Sequence, residues 1–279
     1  MLLLALDTST RQASVALCSE DTLYGETTWQ VGNNHSVELL ERISRLLAEC
    51  SNTMQDIDGV ATATGPGSFN GLRVAVATAK ALAFALKIPL VGVSTLDIIA
   101  AQQQHWYGPV CAILEAGRSE LYAACYKFDE MVNTSNEIVY QMHQLSDYLL
   151  LSPEHLSAYL QEQKNVWEVG AIAGNPEHPP FLFCGEISDA SRQALLECMP
   201  TRQFFVSKLQ AARHASTLAM LAMQRLLDGI VDDPLLLEPL YLRRPSITTS
   251  TRKQPLLGKK SQRSADASET EREEGALRH

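Results

Sequence analysis

Apolar positions switch along the chain between unbroken runs, alternation and helical spacing, and the switches mark out two halves of similar build. Leu2 to Asp7 is an apolar run ending on a carboxylate, the pattern of a central strand buried on both faces. Thr8 to Gln12 read as a polar turn, Ala13 to Cys18 as a returning antiparallel strand, and Leu23 to Trp29 as a third strand. The period then lengthens. Leu39, Leu40, Ile43, Leu46, Leu47 and Cys50 recur at helical spacing with Glu38, Glu41, Arg42 and Arg45 between them, which predicts an amphipathic helix from His35 to Cys50 with Ser36 as its N-cap. Ile57 to Thr64 reads as a strand, Gly65-Pro66-Gly67-Ser68-Phe69-Asn70-Gly71 as a tight turn, and Leu72 to Leu86 as a second helix. This helix is nearly all Ala, Val, Leu and Phe. Arg73, Lys80 and Lys87 sit seven apart and leave one narrow polar stripe, so the helix must be covered on more than one side. Pro89 to Val93 is another strand, and Ser94 caps a helix running through Ala101.

After Gly108-Pro109 the opening pattern recurs. Val110 to Leu114 is an apolar strand reaching Glu115, Ala116 to Ser119 turn, and Leu121 to Phe128 return, so strand, carboxylate, turn and strand occur twice. The second copy continues with a strand near Glu137 to Gln141, a helix over Pro153 to Gln163, and a strand at Phe181 to Cys184 that turns at Gly185. A helix over Asp189 to Cys198, a strand at Phe204 to Val206 and a long helix over Ala215 to Asp228 complete it. The expected divisions are an N-terminal domain over 1–106, a C-terminal domain over 107–245 and a disordered tail over 246–279, with an irregular insertion at 165–180.

Composition narrows the function classes. The 279 residues, 46% hydrophobic and 20% charged, suffice for two modest cores. The apolar start lacks a basic flank and meets Asp7 too early for a signal peptide or membrane span, so a cytoplasmic location with no membrane attachment is expected. The six cysteines are scattered singly, as reduced core thiols would be. A net charge of −9 disfavours direct contact with a phosphate backbone, so tRNA would be met only through a complex.

A duplicated domain that opens with an antiparallel strand pair resembles the actin, sugar-kinase and Hsp70 superfamily. The fold class implied is α/β, with two actin-like (ribonuclease H-like) domains, each a mixed sheet flanked by helices. Four stretches are more specific: LALDTSTRQASVAL, ATATGPGSFNGLRVAVATAKALA, GVSTLD and ILEAGRSELY. Together they resemble the TsaB family from about Leu2 to about Arg244, most distinctively in the GPGSF-x-G-[LV]-R stretch. The resemblance implies a non-catalytic subunit that pairs with TsaD, a sister of the same fold, and works with the ATPase TsaE. The task implied is threonylcarbamoylation of the adenosine beside the anticodon in tRNAs that read codons starting with A.

The residues themselves offer little catalysis. Actin-like kinases bind phosphates with Gly-rich turns after the first strand of each domain, because only glycine lets backbone N–H groups approach closely. Here the first turn, Asp7-Thr8-Ser9-Thr10, has no glycine, and the second, Glu115-Ala116-Gly117-Arg118, has one. Asp7, Thr8, Ser9, Gly65 and Gly67 are the residues placed to meet a nucleotide. Their other reading is turn-building, with Asp7 capping its own turn and the glycines letting helix and sheet approach. The two metal-binding histidines of the sister subunit are absent from Val93 to Ile99, no HExxH motif occurs, and no Ser, His and Asp arrangement forms a triad. No tightly bound cofactor is expected, and ATP or ADP only at a joint surface with a partner.

The two neighbouring helices are then the expected interface, docking on the same pair from a partner as a four-helix bundle. The candidates are Leu39, Arg42, Ile43 and Leu46 on the first helix and Arg73, Val76, Ala77, Lys80 and Ala81 on the second, whose alanines allow close approach. Self-association of the isolated chain through the same face is also expected. The alternative is a small-molecule kinase that has lost its recognisable glycines.

Overall fold

The computed structural model describes residues 1–32, 35–133, 136–163, 167, 180–199 and 203–243. The 165–180 insertion, apart from 167 and 180, and the 246–279 tail lie outside them. Residues Met1–Arg244 form one compact unit.

The first sheet contains β1 (Leu3–Asp7), β2 (Gln12–Cys18), β3 (Leu23–Gln30), β4 (Gly59–Gly65) and β5 (Leu90–Ser94), in the order β3-β2-β1-β4-β5. β1, β2 and β3 pair antiparallel, and β4 and β5 join in parallel. The second sheet contains β6 (Val110–Gly117), β7 (Glu120–Val132), β8 (Ile138–Gln144), β9 (Leu149–Leu151), β10 (Phe181–Glu186) and β11 (Gln203–Phe205). Its order, β11-β10-β6-β7-β8, is the first sheet's order with β9 added against β7. The repeat of strand, carboxylate and turn is thus a repeat of topology, and the fold is α/β, two mixed sheets of the same strand order flanked by helices. Among the described residues six α-helices accompany the sheets: α1 (His35–Glu49), α2 (Phe69–Leu86), α3 (Thr95–Ala101), α4 (Pro153–Gln163), α5 (Asp189–Cys198) and α6 (Ala215–Leu227). α2 begins three residues earlier than its apolar run, because the Ser68 side chain caps it by accepting from the Gly71 N–H.

Strand alternation decides which helix covers which face. In β1, Leu4 and Leu6 point to the face covered by α1 and α2, where Leu39, Ile43, Ala75 and Ala79 meet them. Leu3 and Ala5 point to the other face, covered by Leu218, Ala219 and Ala222 of α6. In the second sheet, Cys111 and Ile113 face α4 and α5, while Val110, Ala112 and Leu114 face Leu96, Ile99 and Ala100 of α3. Helix packing therefore crosses the expected division at 106/107. α3, from the first half, covers the second sheet, and α6, from the second half, covers the first. Linear boundaries follow chain order, whereas each sheet recruits whichever apolar helix reaches its open face.

Beyond α6 the chain returns along α2 as a strap. Asp232 bridges to Leu90, the Lys80 Nζ donates to the carbonyls of Leu235 (3.4 Å) and Leu237 (3.0 Å), and the Leu240 N–H donates to Thr64 O at 2.8 Å.

Candidate functional site

Asp7 ends β1 at the point where the parallel part of the first sheet meets the β1–β2 turn. Only 1% of its surface is exposed, and burying a lone carboxylate is costly unless it is paired and hydrogen-bonded. Its Oδ1 accepts from the Ser9 backbone N–H at 2.8 Å and the Ser9 hydroxyl at 2.5 Å, closing the turn on itself. Its Oδ2 accepts from Nε of Arg213 at 2.9 Å. Arg213, equally buried, lies in the connection leading into α6. Its remaining donors reach Glu186 at the end of β10, the Thr10 hydroxyl at 2.8 Å and the Gln12 carbonyl at 2.8 Å. Thr10 in turn donates to Glu186 at 2.6 Å. Burial opposes the arginine's charge, but the Asp7 and Glu186 carboxylates outweigh it and hold its pKa above the ordinary value.

The glycine-rich turn is packed against this one. A Cβ added at Gly67 would lie 2.1 Å from the Ser9 carbonyl oxygen, and one at Gly71 would lie 2.0 Å from that of Thr8. The Ser68 N–H donates to Ser9 O at 2.6 Å, and the Thr8 hydroxyl donates to Gly71 O at 2.7 Å. Gly65 has φ +109°, a conformation suited to glycine, and sits against Leu72 and the Leu240 carbonyl. These glycines let two backbone turns meet, and the Ser68 N–H is already spent on protein.

Between the two halves lies a cleft of about 450 Å3, lined by Thr10, Arg11 and Ser68 on one side and Glu115, Gly117 and Glu186 on the other. It lies between the turns that follow β1 and β6. Two carboxylates line it, Asp7 is already neutralised by Arg213, and the Glu115 Oε1 accepts from the Ser188 N–H at 2.9 Å. Among the described residues, no three His, Cys, Asp or Glu side chains gather as a metal-ligating group.

The proposed interface helices divide differently from their apolar pattern. Leu39, Ile43 and Leu46 are at most 3% exposed and belong to the core under the first sheet, so they are removed from the interface candidates. The reason is that helical spacing tells which residues share a face, and here the shared apolar face is the one the sheet needs. Val76 is likewise buried at 3%. Arg42 lies over the Trp29 ring with its Cζ 5.4 Å from the centroid. Arg73, exposed, lies over Phe69 at 4.3 Å, and Lys80 is held by the strap. Ala77 and Ala81 are exposed, and Phe84, one turn on from Ala81, is 77% exposed. A helix that buries Ala75, Ala79 and Ala83 on the sheet therefore presents a second apolar stripe outward.

A family model described as TsaD, tRNA N6-adenosine threonylcarbamoyltransferase, matches residues 29–250. The tRNA threonylcarbamoyladenosine biosynthesis protein TsaB of Bacillus subtilis is 29% identical over 225 residues, covering 81% of this chain and 88% of that one. TsaB of Escherichia coli is 31% identical over 169 residues, covering 60% of this chain and 69% of that one. YeaZ from Pseudomonas aeruginosa, 27% identical, superposes with a TM-score of 0.64 over 86% of this chain and 99% of that one. The chain belongs to the TsaB/YeaZ family.

In this TsaB/YeaZ member, sequence reasoning placed Asp7, Thr8, Ser9, Gly65 and Gly67 together, and the fold does bring them to one place. It missed Arg213 and Glu186, which decide the electrostatics there. Arg213 is separated from Asp7 by 206 positions and stands in a connection with no motif around it. The one available signal was chemical: a carboxylate buried at a strand end requires a cation.

Proposed function

We propose that this TsaB/YeaZ member is the non-catalytic subunit of the machinery that makes threonylcarbamoyladenosine in tRNA, acting as partner to a TsaD-type catalytic subunit. The reading rests on family membership and is carried structurally by the outward stripe of α2, where Ala77, Ala81 and Phe84 form an exposed apolar surface beside the strap. Small side chains there let a partner helix approach closely, with the exposed Phe84 ring beside them as an apolar anchor. α2 is also long and apolar enough to cross a membrane by length and composition. Its Ala75, Ala79 and Ala83 stripe is engaged with the sheet, so a protein partner for the other side is the simpler account.

The same face serves self-association when the chain is alone. A TsaE-type ATPase joins the pair, ATP or ADP is held only at a joint surface, tRNA is reached only through the complex, and the work is cytoplasmic. The small-molecule kinase reading is not favoured, because the cleft that would hold ATP carries carboxylates and a neutralised Asp7.

The test is association with the TsaD-type subunit by size-exclusion chromatography, together with modification of tRNA by the pair. Ala77→Glu and Ala81→Glu place a charge in the seam and should weaken association by about 3–5 kcal/mol while circular dichroism and Tm stay near the parent values. Intact pairing by well-folded variants would remove α2 from the interface.

A further inference from the structure

Arg213 joins parts of the molecule that otherwise belong to different sheets. Asp7, Thr10 and Gln12 come from the β1–β2 region of the first sheet, and Glu186 from the end of β10 in the second. Five contacts converge on this one side chain and its backbone: Asp7 Oδ2, Glu186 Oε1, Thr10 Oγ1, the Gln12 carbonyl, and the Gln12 Oε1 that accepts from the Arg213 N–H at 3.0 Å. The geometry is that of a cation coordinated by oxygen atoms from both sides of a cleft.

We propose that the guanidinium of Arg213 is the resident cation of the inter-sheet site: it fills the place between Asp7 and Glu186 that would otherwise take a divalent cation, and it locks the two sheets into one orientation. Two facing carboxylates with hydroxyl and carbonyl oxygens nearby are the donor set of a hard divalent cation. A planar guanidinium supplies the same charge compensation with fixed directions and does not dissociate, so a joint that would open and close with ligand becomes a fixed one. The carboxylate of Glu186 is the accessible arm of the lock, with 38% of its side chain exposed on the cleft, whereas Asp7 and Arg213 are sealed beneath. The inference concerns the cleft and holds whichever partner α2 takes.

The experiment uses the full chain and Mn2+ as probe, with binding followed by electron paramagnetic resonance and by the shift in Tm. Arg213→Ala should bind Mn2+ about tenfold or more tightly than the parent, and adding Asp7→Asn to that variant should abolish the gain. Equal binding by parent and Arg213→Ala, or a gain that survives Asp7→Asn, overturns the resident-cation assignment. The lock is tested separately with Glu186→Ala, which removes only the half-exposed arm and leaves the Asp7–Arg213 pair. Amide hydrogen exchange at Thr10, Cys184 and Gly185 should accelerate about tenfold while Leu4 and Ala5 inside β1 stay protected. Unchanged exchange at all five positions overturns the lock and does so even if Arg213→Ala fails to fold.

Discussion

The turns after β1 and after β6 occupy equivalent places in two sheets of the same order, and both follow a strand that ends near a carboxylate. They have opposite fates. Asp7, Thr8 and Ser9 are at most 1% exposed, closed by side-chain hydrogen bonds and roofed by the glycine-rich turn before α2. Glu115, Gly117, Arg118 and Ser119 are exposed, and Gly117, Arg118 and Ser119 all take positive φ, of 71°, 56° and 57°. The N-cap of α5 meets this second turn at Glu115, whose Oε1 accepts from the Ser188 N–H at 2.9 Å, but leaves Gly117, Arg118 and Ser119 exposed. The turn is braced by Arg243 of the strap, which donates to the carbonyls of Ala116 and Gly117 and pairs with Glu120. The same local pattern is thus buried or left in solvent according to what the following βα connection brings over it.

The largest expected effect comes from separating the first turn from its roof. Gly67→Ala and Gly71→Ala would each push a methyl group into a backbone carbonyl, and each should destabilise by about 3 kcal/mol or more, or prevent folding. Gly117→Ala in the second turn meets open space and pays only for positive φ, about 1 kcal/mol. Urea midpoints compare the three directly, and equal losses at Gly67 and Gly117 would contradict the roofed-and-open contrast.

Next in size is the pair of arginine braces. Arg213→Met leaves Asp7 buried without its cation and should remove about 3–5 kcal/mol of stability. Arg243→Met breaks a pair whose side chains are 24% and 38% exposed, and the loss should stay near or below about 1 kcal/mol. A smaller loss at Arg213 than at Arg243 would reverse the ranking of the two turns.

The smallest effect concerns the contact between halves made by Asp97 of α3. It accepts from Tyr126 Oη at 2.7 Å and Tyr148 Oη at 3.0 Å, both from the second half. Burial raises its pKa above the ordinary 3.8, with the two tyrosine hydrogen bonds pulling the other way. The folded chain therefore holds this proton more firmly than the unfolded one. Its contribution to stability is fully present below the ordinary value and is lost as pH rises through the raised one. Asp97→Asn should remove that decline, so the stability of the parent relative to the variant should fall from acid to neutral pH. A difference that stays flat would place Asp97 outside the titrating groups.

Most of the strand skeleton was legible in the chain because both sheets are built from apolar runs that end at polar turns. Leu2 to Cys18 and Val110 to Phe128 carry that signal strongly. β9 was not, since three residues give no period to read. On α2 the Arg73 and Lys80 stripe marked the side away from the sheet, and Ala77 and Ala81 are indeed exposed there. α1 misled because Leu39, Ile43 and Leu46 look the same whether they meet a partner or their own sheet. Arg213 was hidden for a different reason: its partners come from two stretches far from it in the chain, residues 7–12 and Glu186, and only the closed fold assembles them.

The exchange of helices between sheets has a consequence for how the chain is made. When α3 leaves the ribosome, one face of the first sheet still lacks its cover, because Leu218, Ala219 and Ala222 of α6 have not been synthesised. At roughly 5–20 residues per second, on the order of ten seconds pass before they emerge. During that interval Leu3, Ala5 and Val91 form a bare apolar sheet surface, of the kind that chaperones bind and that pairs wrongly with other nascent chains. A nascent chain of this protein completes its first lobe nearly last, and stalls or truncations anywhere before α6 expose the same surface.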